Sequence, residues 1–382
     1  MTSSTPKYQE ISEGTTNILV YSKDRHYKGP AKRDDLPFYN PSMILNRDTS
    51  ILIAQHLLNT NSQKLLFLDG LAASGIRGVR FCHELTGDFF VTINDISPTA
   101  HALIQRNISN NAIHNAQATN KNIHELLGTQ HYHAIDIDPF GSPIRYLDGA
   151  IRALKHKGIL SVTATDTAAL CGVYPKVCRR RYFSQPFHSP MMHQVGLRIL
   201  IAAIAREAAK YEKGVKPLLC YYTDHYFRCY LQLQNTKEQS TKTLSNINTV
   251  DLDQYAFKPI GKPQMRGPLW TGPLHHKPTL ESLYKLSSEF TLNSSSQLQR
   301  LFPLWLEETQ SPPFHYSTDI LARNHHCDPP RIDRFKQFFT DEGYHLYKTH
   351  FGGGTFSTDA PYQIVTMLLQ KYHRKRQKPA DE

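Results

Sequence analysis

The sequence predicts an α/β protein with a doubly wound, Rossmann-like sheet in its first domain and a smaller α+β domain after it. Three observations predict this architecture. Apolar runs that end in Asp or Asn alternate with helical periodicity through the first half of the chain. A polar stretch then precedes a remainder that is broken by Gly and Pro. Finally, the 382 residues exceed the roughly 100 to 200 of one ordinary domain.

The strands and helices of the predicted sheet follow in order along the chain. Apolar or β-branched runs, typical of buried parallel strands, occupy residues 65–68, 89–93, 134–138 and 158–163. Segments with helical spacing lie between them, at residues 76–85, 98–111 and 146–155. Ser97 is a suitable N-cap for the second of these helices. This alternation predicts a doubly wound sheet.

The first domain is predicted to end in an antiparallel pair. Residues 195–210 are strongly helical, and 218–222 and 226–233 read as two strands joined by a polar turn. The predicted division of the chain is a first domain at 1–235 with an N-terminal extension at 1–50, a linker at 236–254, and a C-terminal domain at 255–382.

Helical segments in the C-terminal domain are predicted near residues 279–290, 294–309, 318–324 and 330–342, with a strand at 344–349. The last three segments resemble a winged-helix module. A basic tail at 371–378 is either a solvated end or a source of salt-sensitive affinity for phosphates.

Charge and cysteine content narrow the class of protein. Lys and Arg total 44 against 33 acidic residues, a formal net charge of +11, which favours a polyanionic partner over a solvated basic surface without one. The six cysteines form no Cys-x-x-Cys pair, so we expect reduced thiols and no metal. No apolar stretch near the N-terminus is long enough for a signal peptide or membrane span. We therefore expect a cytoplasmic protein without a membrane partner; a monomer is compatible with the sequence.

A small-residue turn at 69–78 connects the first buried strand to a helix, as in Rossmann-like cofactor sites. Asp95, after the second strand, is placed to accept hydrogen bonds from ribose hydroxyls. The turn lacks the G-x-G-x-x-G spacing of dinucleotide sites, which favours S-adenosylmethionine, a cofactor without phosphate. Arg47 or Arg77 could pair with its carboxylate. The alternatives are a structural tight turn and surface arginines.

The segment Asp138-Pro139-Phe140-Gly141 follows the third predicted strand, at the sheet edge where α/β proteins bind ligands. A conjugated exocyclic amine is a poor nucleophile, and Asp138 and the Pro139 carbonyl could accept its hydrogens. Phe140 could stack on the base, and Asp138 could take the proton. In the alternative interpretation Asp138 caps a turn and Phe140 is core. Asp136 faces the same side, and two buried carboxylates are costly unless functional or well paired.

Two further segments have a functional and a structural interpretation. Thr165 and Asp166, after the next strand, either line the target pocket beside Asp138 or cap a helix. The basic cluster of Arg179, Arg180 and Arg181 either holds phosphates or is a solvated loop.

The motifs taken together resemble one family over nearly the whole chain, the tRNA (guanine(26)-N2)-dimethyltransferases. The matching segments are 38–41, 46–48, 74–78, 94–97, 138–143, 163–166, 170–172, 224–228, 267–270 and 349–351. The resemblance implies a class I methyltransferase domain and a family-specific C-terminal domain. It also implies two successive methyl transfers from S-adenosylmethionine to N2 of guanine 26 in tRNA, through N2-methylguanine.

The resemblance also implies roles for particular residues. Catalytic roles fall to Asp138, Pro139 and Phe140. Cofactor contacts fall to Arg47, Asp69, Arg77, Asp95, Asn122 and Ile123. Substrate contacts fall to Phe38, Thr165, Asp166, Arg179, Arg180 and Arg181. Members often carry Asp-Ala where this chain has Asn122-Ile123, although an Asn can still accept through its amide oxygen.

Two competing functions remain. One is another amine methyltransferase, acting on adenine N6 of nucleic acid or on a protein amide, since such enzymes share an Asp or Asn, a Pro and an aromatic residue in the reaction-centre segment. The other is a non-catalytic RNA-binding protein that retains the sheet. The presence of Asp138, Asp95 and Arg47 argues against the latter.

Overall fold

The structure is a computed structural model that describes residues 8–22, 36–256 and 265–377. The chain forms two compact units whose segments alternate along the sequence. The first unit consists of Met1–Thr167, Ile204–Ser245 and His276–Arg300. The second consists of Ala168–Ala203, Asn246–His275 and Leu301–Glu382. In the basic tail, the side chains of 375–377 and all of residue 378 lie outside the described residues.

The strands, in chain order, are β1 Tyr8–Glu13, β2 Thr16–Tyr21, β3 Leu65–Asp69, β4 Phe89–Asn94, β5 Ala116–Thr119, β6 Tyr132–Ile137, β7 Leu154–Ala164, β8 Gly214–Thr223, β9 Tyr226–Gln234, β10 Ile247–Asp251, β11 Met265–Trp270, β12 Tyr316–Ser317, β13 Leu346–Lys348 and β14 Thr355–Thr358.

The helices are α1 Ile44–Asn59, α2 Ile76–Glu84, α3 Pro98–Asn110, α4 Ile123–Thr129, α5 Ile144–Ala153, α6 Thr167–Leu170, α7 Pro175–Tyr182, α8 Met192–Ala209, α9 Lys237–Ser245, α10 Asp253–Ala256, α11 Lys277–Leu286, α12 Ser295–Glu308, α13 Thr318–Asn324, α14 Ile332–Asp341 and α15 Tyr362–Gln377. A short 3-10 turn, Pro41–Met43, precedes α1.

The first unit is built on a seven-stranded sheet with the order β5-β4-β3-β6-β7-β9-β8. The five strands from β5 to β7 are parallel, and β9 runs antiparallel between β7 and β8. Buried Val, Ile, Leu and Phe side chains fill these strands, as sheets covered on both faces require. The predicted doubly wound sheet and its antiparallel ending are confirmed.

The register of the central strands brings several polar residues to one edge. Asp69, the last residue of β3, pairs with Ile93 of β4 on one side and with Asp136 of β6 on the other. Asn94 ends β4, and Asp138 follows β6 directly. The carboxyl ends of parallel strands therefore collect the polar groups at one edge of the sheet.

Helix α1 was not predicted from the sequence, and its burial explains why. Thirteen of its 16 residues are buried, polar as well as apolar, so it has no polar face and no amphipathic period. Its buried Asp48 accepts hydrogen bonds from Arg80 of α2 at 2.8 Å and from the backbone and hydroxyl of Ser294, each at 2.7 Å. Paired charges make such a helix possible inside the unit.

The second unit contains a small antiparallel sheet with the order β12-β14-β13, and α13, α14 and α15. Its core contains a group of aromatic rings, with Phe335 packed edge-on against Phe339, Phe356 and Tyr372. The predicted helices at 318–324 and 330–342 correspond to α13 and α14.

The compact units are made of alternating chain segments rather than of continuous domains, and the segment predicted as a linker, 236–254, contains secondary structure. Helix α9 packs on β8, where the Thr243 hydroxyl accepts from the backbone N–H of Val215 at 2.8 Å. Strand β10 pairs with β11. The segment is polar because it covers elements from the solvent side, and composition alone does not distinguish that from a linker. None of the helices described is long and apolar enough to cross a membrane.

Candidate active site

The centre of the site is a pair of aspartates held by two buried arginines of the first unit. Arg77 of α2 forms a close ion pair with Asp138, and its Nε lies 3.5 Å from Asp136. Arg228 of β9 pairs with both oxygens of Asp136. The two carboxylates that face the same side are therefore well paired, and the pairing offsets part of the desolvation cost of burying them.

Three uncharged side chains complete the network between the arginines. Asn46 accepts from Arg77 at 2.8 Å through Oδ1 and donates to the Thr163 hydroxyl at 3.0 Å. That hydroxyl also accepts from Arg228 at 2.9 Å. The Ser50 hydroxyl accepts from Arg77 at 2.5 Å and from Arg228 at 3.0 Å. The guanidinium groups are fixed, and with them the Asp138 carboxylate.

The loop after β6 is fastened to the loop after β7. The backbone N–H of Gly141 donates to the Thr165 hydroxyl at 2.7 Å, and the Thr165 N–H donates back to the Gly141 carbonyl at 3.0 Å. Gly141 has a φ of 87°, which favours glycine. Pro139 is buried, whereas the Phe140 ring is 56% exposed. The alternative in which Phe140 belongs to the core is therefore wrong.

Asp95, predicted to contact the cofactor, organises the edge of the sheet beside β4. One carboxylate oxygen accepts from the Ala73 N–H and the other from the Ser97 N–H, both at 2.9 Å. Ile96, the next residue, has an unusually exposed apolar side chain, at 60%. An acid held at the strand end beside an uncovered apolar surface suits a ribose and the flat base attached to it.

Packing at the turn leaves little freedom. A Cβ on Gly70 would lie 2.5 Å from Cδ1 of Ile123, so the buried Ile123 packs directly against the turn backbone. Gly75 has a φ of 78° at the start of α2. Asn122 is exposed, and its side chain caps α4 by accepting from the His124 N–H at 3.0 Å. The amide oxygen that was expected to accept from adenine thus already has a partner.

Asp69 is buried at the end of β3 and accepts from the Gly78 N–H at 3.1 Å. Burial raises the pKa of this carboxyl to about 7; Arg77 opposes the rise, while Asp136 adds to it. Its protonation therefore changes near neutral pH, and a cation placed next to it would favour the ionised form.

Arg47 lies in a different arrangement from the one expected of a free cofactor ligand. Its guanidinium forms a bidentate pair with Glu13, with both distances 2.6 Å, and packs over the Tyr39 ring. Glu13 ends β1, so the N-terminal hairpin is attached to α1 through this pair. Although burial opposes it, Arg47 and Arg80 lower the pKa of Glu13.

The predicted substrate residues fall in both units. Phe38, Thr165 and Asp166 are half-buried residues of the first unit, and Thr165 has the fastening role already described. Arg179, Arg180 and Arg181 are exposed on the last turn of α7 in the second unit. The alternative interpretation expected a solvated loop. The three arginines are exposed, but they lie in a helix, so the expected loop conformation is wrong.

A second buried charged group lies in the second unit. Glu308 accepts from His350 through Nδ1 at 2.7 Å and through the backbone N–H at 2.6 Å, and its other oxygen lies 3.3 Å from Nε2 of His275. The three side chains lie close enough to hold a metal ion; Glu308 contacts both histidines, while the buried Nδ1 of His275 has no hydrogen-bond partner among the described residues. Although burial opposes it, His350 and His275 lower the pKa of Glu308 far below its usual range.

Comparison with known proteins identifies the family. A family model described as N2,N2-dimethylguanosine tRNA methyltransferase matches residues 14–370. The chain belongs to this family. Among similar members, the tRNA (guanine(26)-N(2))-dimethyltransferases of Thermococcus kodakarensis and Pyrococcus abyssi are 36% and 34% identical to it, each over 94% of this chain and 98% of the relative. The structure of Trm1 from Pyrococcus horikoshii in complex with S-adenosyl-L-methionine superposes with a TM-score of 0.84 at 32% identity, covering 94% of this chain and 99% of that one.

Sequence reasoning missed several residues of the site. Asn46 and Arg228 lie in segments that matched the family, but no role was predicted for them or for Ser50; only the fold brings Asn46 and Ser50 to Arg77, and Arg228 to Asp136. Ile96 could have been found, since an apolar residue directly after the strand-end acid is itself a signal. The family agrees with the predicted fold and with the predicted reaction.

Proposed function

We propose that this protein dimethylates the exocyclic N2 amine of guanine 26 in tRNA, using two S-adenosylmethionine molecules in succession and passing through N2-methylguanine. One observation carries the proposal: a partly exposed carboxylate, Asp138, is held by Arg77 two residues before the exposed ring of Phe140, in a chain related throughout to enzymes named for this reaction. We also propose a cytoplasmic location, which is consistent with a tRNA substrate. We assign no role to a metal.

The residues present fit the cofactor. Asp95 would accept from the ribose hydroxyls, and Ile96 and Ile123 would supply apolar contacts for adenine. Asp69 would face positive charge, which would favour the ionised form of a carboxyl whose pKa burial has raised. When bound, S-adenosylmethionine supplies an electrophilic methyl group. Asn122 would contact adenine through the amide group that now caps α4.

The two arginines assigned to the methionine carboxylate already hold carboxylates of the protein. Arg47 is paired with Glu13, and Arg77 with Asp138. Contact with the cofactor therefore requires these guanidinium groups to share or exchange a hydrogen bond. An Arg77 that bridges the cofactor and Asp138 would couple cofactor binding to the orientation of the acceptor.

At the reacting atom, the Asp138 carboxylate would accept an N2–H of guanine and take the proton as the new N–C bond forms. The Pro139 carbonyl would accept a hydrogen bond from the second N2–H. Phe140 and Phe38 would hold the base plane so that the nitrogen lone pair points at the methyl group. The second transfer would use the same acceptor and the one remaining hydrogen.

The tRNA would be recognised mainly through its backbone and shape. The net charge of +11 and the exposed Arg179, Arg180 and Arg181 suit phosphate contacts. Thr165 and Asp166 would line the pocket that checks the guanine. Extruding the base from its stack costs a few kcal/mol, and the contacts to the extruded base have to offset this cost.

The product of the reaction tests this proposal directly. Purified protein, unmodified tRNA, matched duplex DNA and labelled cofactor are incubated with and without EDTA, and the modified nucleosides are identified by mass spectrometry. We expect N2-methylguanosine first and N2,N2-dimethylguanosine later at position 26, with EDTA having no effect. Methylation of adenine in DNA without modification of tRNA would support the competing amine methyltransferase, and binding of tRNA without any product would support the non-catalytic alternative.

A further inference from the structure

Phe183, at the C-terminal end of α7, combines exposure with an uncommon backbone conformation. Its φ and ψ are 48° and 42°, in the left-handed region that bulky residues rarely adopt. The side chain is 75% exposed, the largest exposed fraction among the large apolar residues in the described ranges. Glycine would end the helix here without strain, so the benzyl group is costly in both solvation and conformation.

The surrounding chain holds Phe183 in this position. Its backbone N–H donates to the Arg179 carbonyl at 3.0 Å and closes the helix. The residues on either side, Tyr182 and Ser184, are buried at 0% and 2% exposed. Gln185 then forms two backbone hydrogen bonds with Gly267, of 2.7 and 3.0 Å. With its neighbours anchored in this way, the ring projects from the surface of the second unit.

The charge around the ring selects the chemistry of a partner. Helix α7 reads Pro-Lys-Val-Cys-Arg-Arg-Arg-Tyr, with four basic residues and no acidic one. Tyr174, just before the helix, is 59% exposed and adds a second uncovered aromatic side chain. A cationic helix with uncovered aromatic rings at both ends matches nucleic acid, because phosphates pair with arginines and base faces stack on rings. Paired helical regions of RNA offer no free base face, so the contact requires an unstacked base.

We propose that Phe183 is a base-stacking site for tRNA: its ring stacks on an unstacked base while the arginines of α7 hold the adjoining phosphates. This inference rests on the proposed tRNA substrate and extends it to a residue of the second unit outside the predicted site. Such a contact would compensate for base stacking that is lost when the target guanine leaves the helix.

Substitutions at Phe183 separate the ring from the backbone. Phe183→Gly removes both the ring and the strain, Phe183→Ala removes the ring but keeps the strain, and Phe183→Tyr keeps a stacking ring. We expect the Kd for tRNA to rise about tenfold in the Gly and Ala variants, within the roughly 5- to 150-fold range of one lost stack, and to change less than about twofold in the Tyr variant. The melting temperature of Phe183→Gly should be higher than that of Phe183→Ala, because glycine relieves the backbone strain. Affinity for tRNA and stability should therefore change independently.

Salt dependence distinguishes the ring from the arginines. Stacking releases no counterions, so Phe183→Gly should leave the slope of log Kd against log salt unchanged. Arg180→Gln should reduce that slope by about one unit. Leu244→Ala, which removes an apolar side chain 45% exposed on α9, is the matched control and should leave the Kd unchanged.

A fluorescent reporter tests the contact itself. The chain has two tryptophans, both buried, so the indole introduced by Phe183→Trp would be an exposed one. Saturating tRNA should protect it from acrylamide quenching. A wild-type Kd for Phe183→Gly, or quenching that tRNA does not change, would overturn the inference. So would a change in self-association on sedimentation with an unchanged tRNA Kd, which would indicate a protein contact. Failure of the wild-type enzyme to methylate bound tRNA would instead overturn the proposed function.

Discussion

Two of the buried clusters of charged and titratable side chains in the described residues differ in one respect. In the first unit, Arg77 and Arg228 hold Asp136 and Asp138; in the second, His275 and His350 hold Glu308. The Asp138 side chain is 21% exposed, whereas that of Glu308 is 4% exposed. In both clusters, pairing offsets the desolvation cost of buried charge. Of the two, only the first leaves a carboxylate partly accessible to an incoming molecule.

The comparison separates chemistry from architecture. A paired carboxylate that remains partly accessible can accept a hydrogen bond from a substrate, and the pairing then fixes its direction. A closed cluster can only connect segments of its own unit: Glu308 joins the end of α12 to the loop that contains His350. Perturbing the two clusters should therefore affect different measurements.

The largest expected effect is on turnover, through Asp138→Asn. An amide retains the acceptor oxygen and the size of the side chain but cannot take a proton, so kcat should fall about 10²- to 10⁴-fold. The measurement is initial-rate kinetics on unmodified tRNA, with the Kd for tRNA expected to stay within a few-fold. Asp148→Asn, which removes an exposed carboxylate paired with Arg152, is the control. Undiminished turnover in Asp138→Asn would remove Asp138 from the mechanism.

The next effect is on stability, through Glu308→Gln. Loss of one partner from a buried charged cluster costs about 3–5 kcal/mol, so the melting temperature should fall while kcat of the folded fraction changes little. The pKa of Glu308 is depressed, so its contribution is present above the unfolded-state pKa and is lost as pH falls below it. The variant should therefore lose less stability on acidification than the wild type. Equal stability of the two proteins at pH 7 would contradict the structural role.

The smallest of the three effects is a pH dependence of cofactor affinity at Asp69. The pKa of its carboxyl is raised to about 7 by burial, so the cofactor-free protein is protonated there below that pH. A cationic cofactor favours the ionised form, so affinity should increase with pH, by at most about tenfold per unit, and level off above pH ~7. Isothermal titration at pH values from about 5.5 to about 8.5, which bracket the pKa of Asp69, measures this dependence. Asp69→Asn should flatten the profile; a flat wild-type profile would separate Asp69 from the cofactor.

Much of the fold could be predicted because parallel strands and amphipathic helices have strong patterns. The central strands and the helices near α2 and α3 follow from apolar periodicity, and Ser97 caps α3 as expected. Helix α1 could not be predicted, since its polar residues are buried with the apolar ones. The two units could not be predicted either, because contacts between distant segments define them.

The site shows the same division. The position of Asp138 at the end of a strand was predictable from the local apolar pattern, and its role as an acceptor at the sheet edge stays a prediction. The place of Arg228 was not predictable, because it depends on the antiparallel pairing that places β9 beside β7. The engagement of Arg47 by Glu13 likewise depends on a hairpin whose strands carry no distinctive pattern.

The fastening of Gly141 to Thr165 has a consequence for the two-step reaction. A loop held by hydrogen bonds in both directions does not follow a substrate whose amine has gained its first methyl group. The singly modified base must instead rotate about its own C2–N2 bond to bring the remaining hydrogen to the acceptor. We therefore expect the rate of the second transfer to depend on how freely the methylated amine rotates in the pocket rather than on rearrangement of the protein.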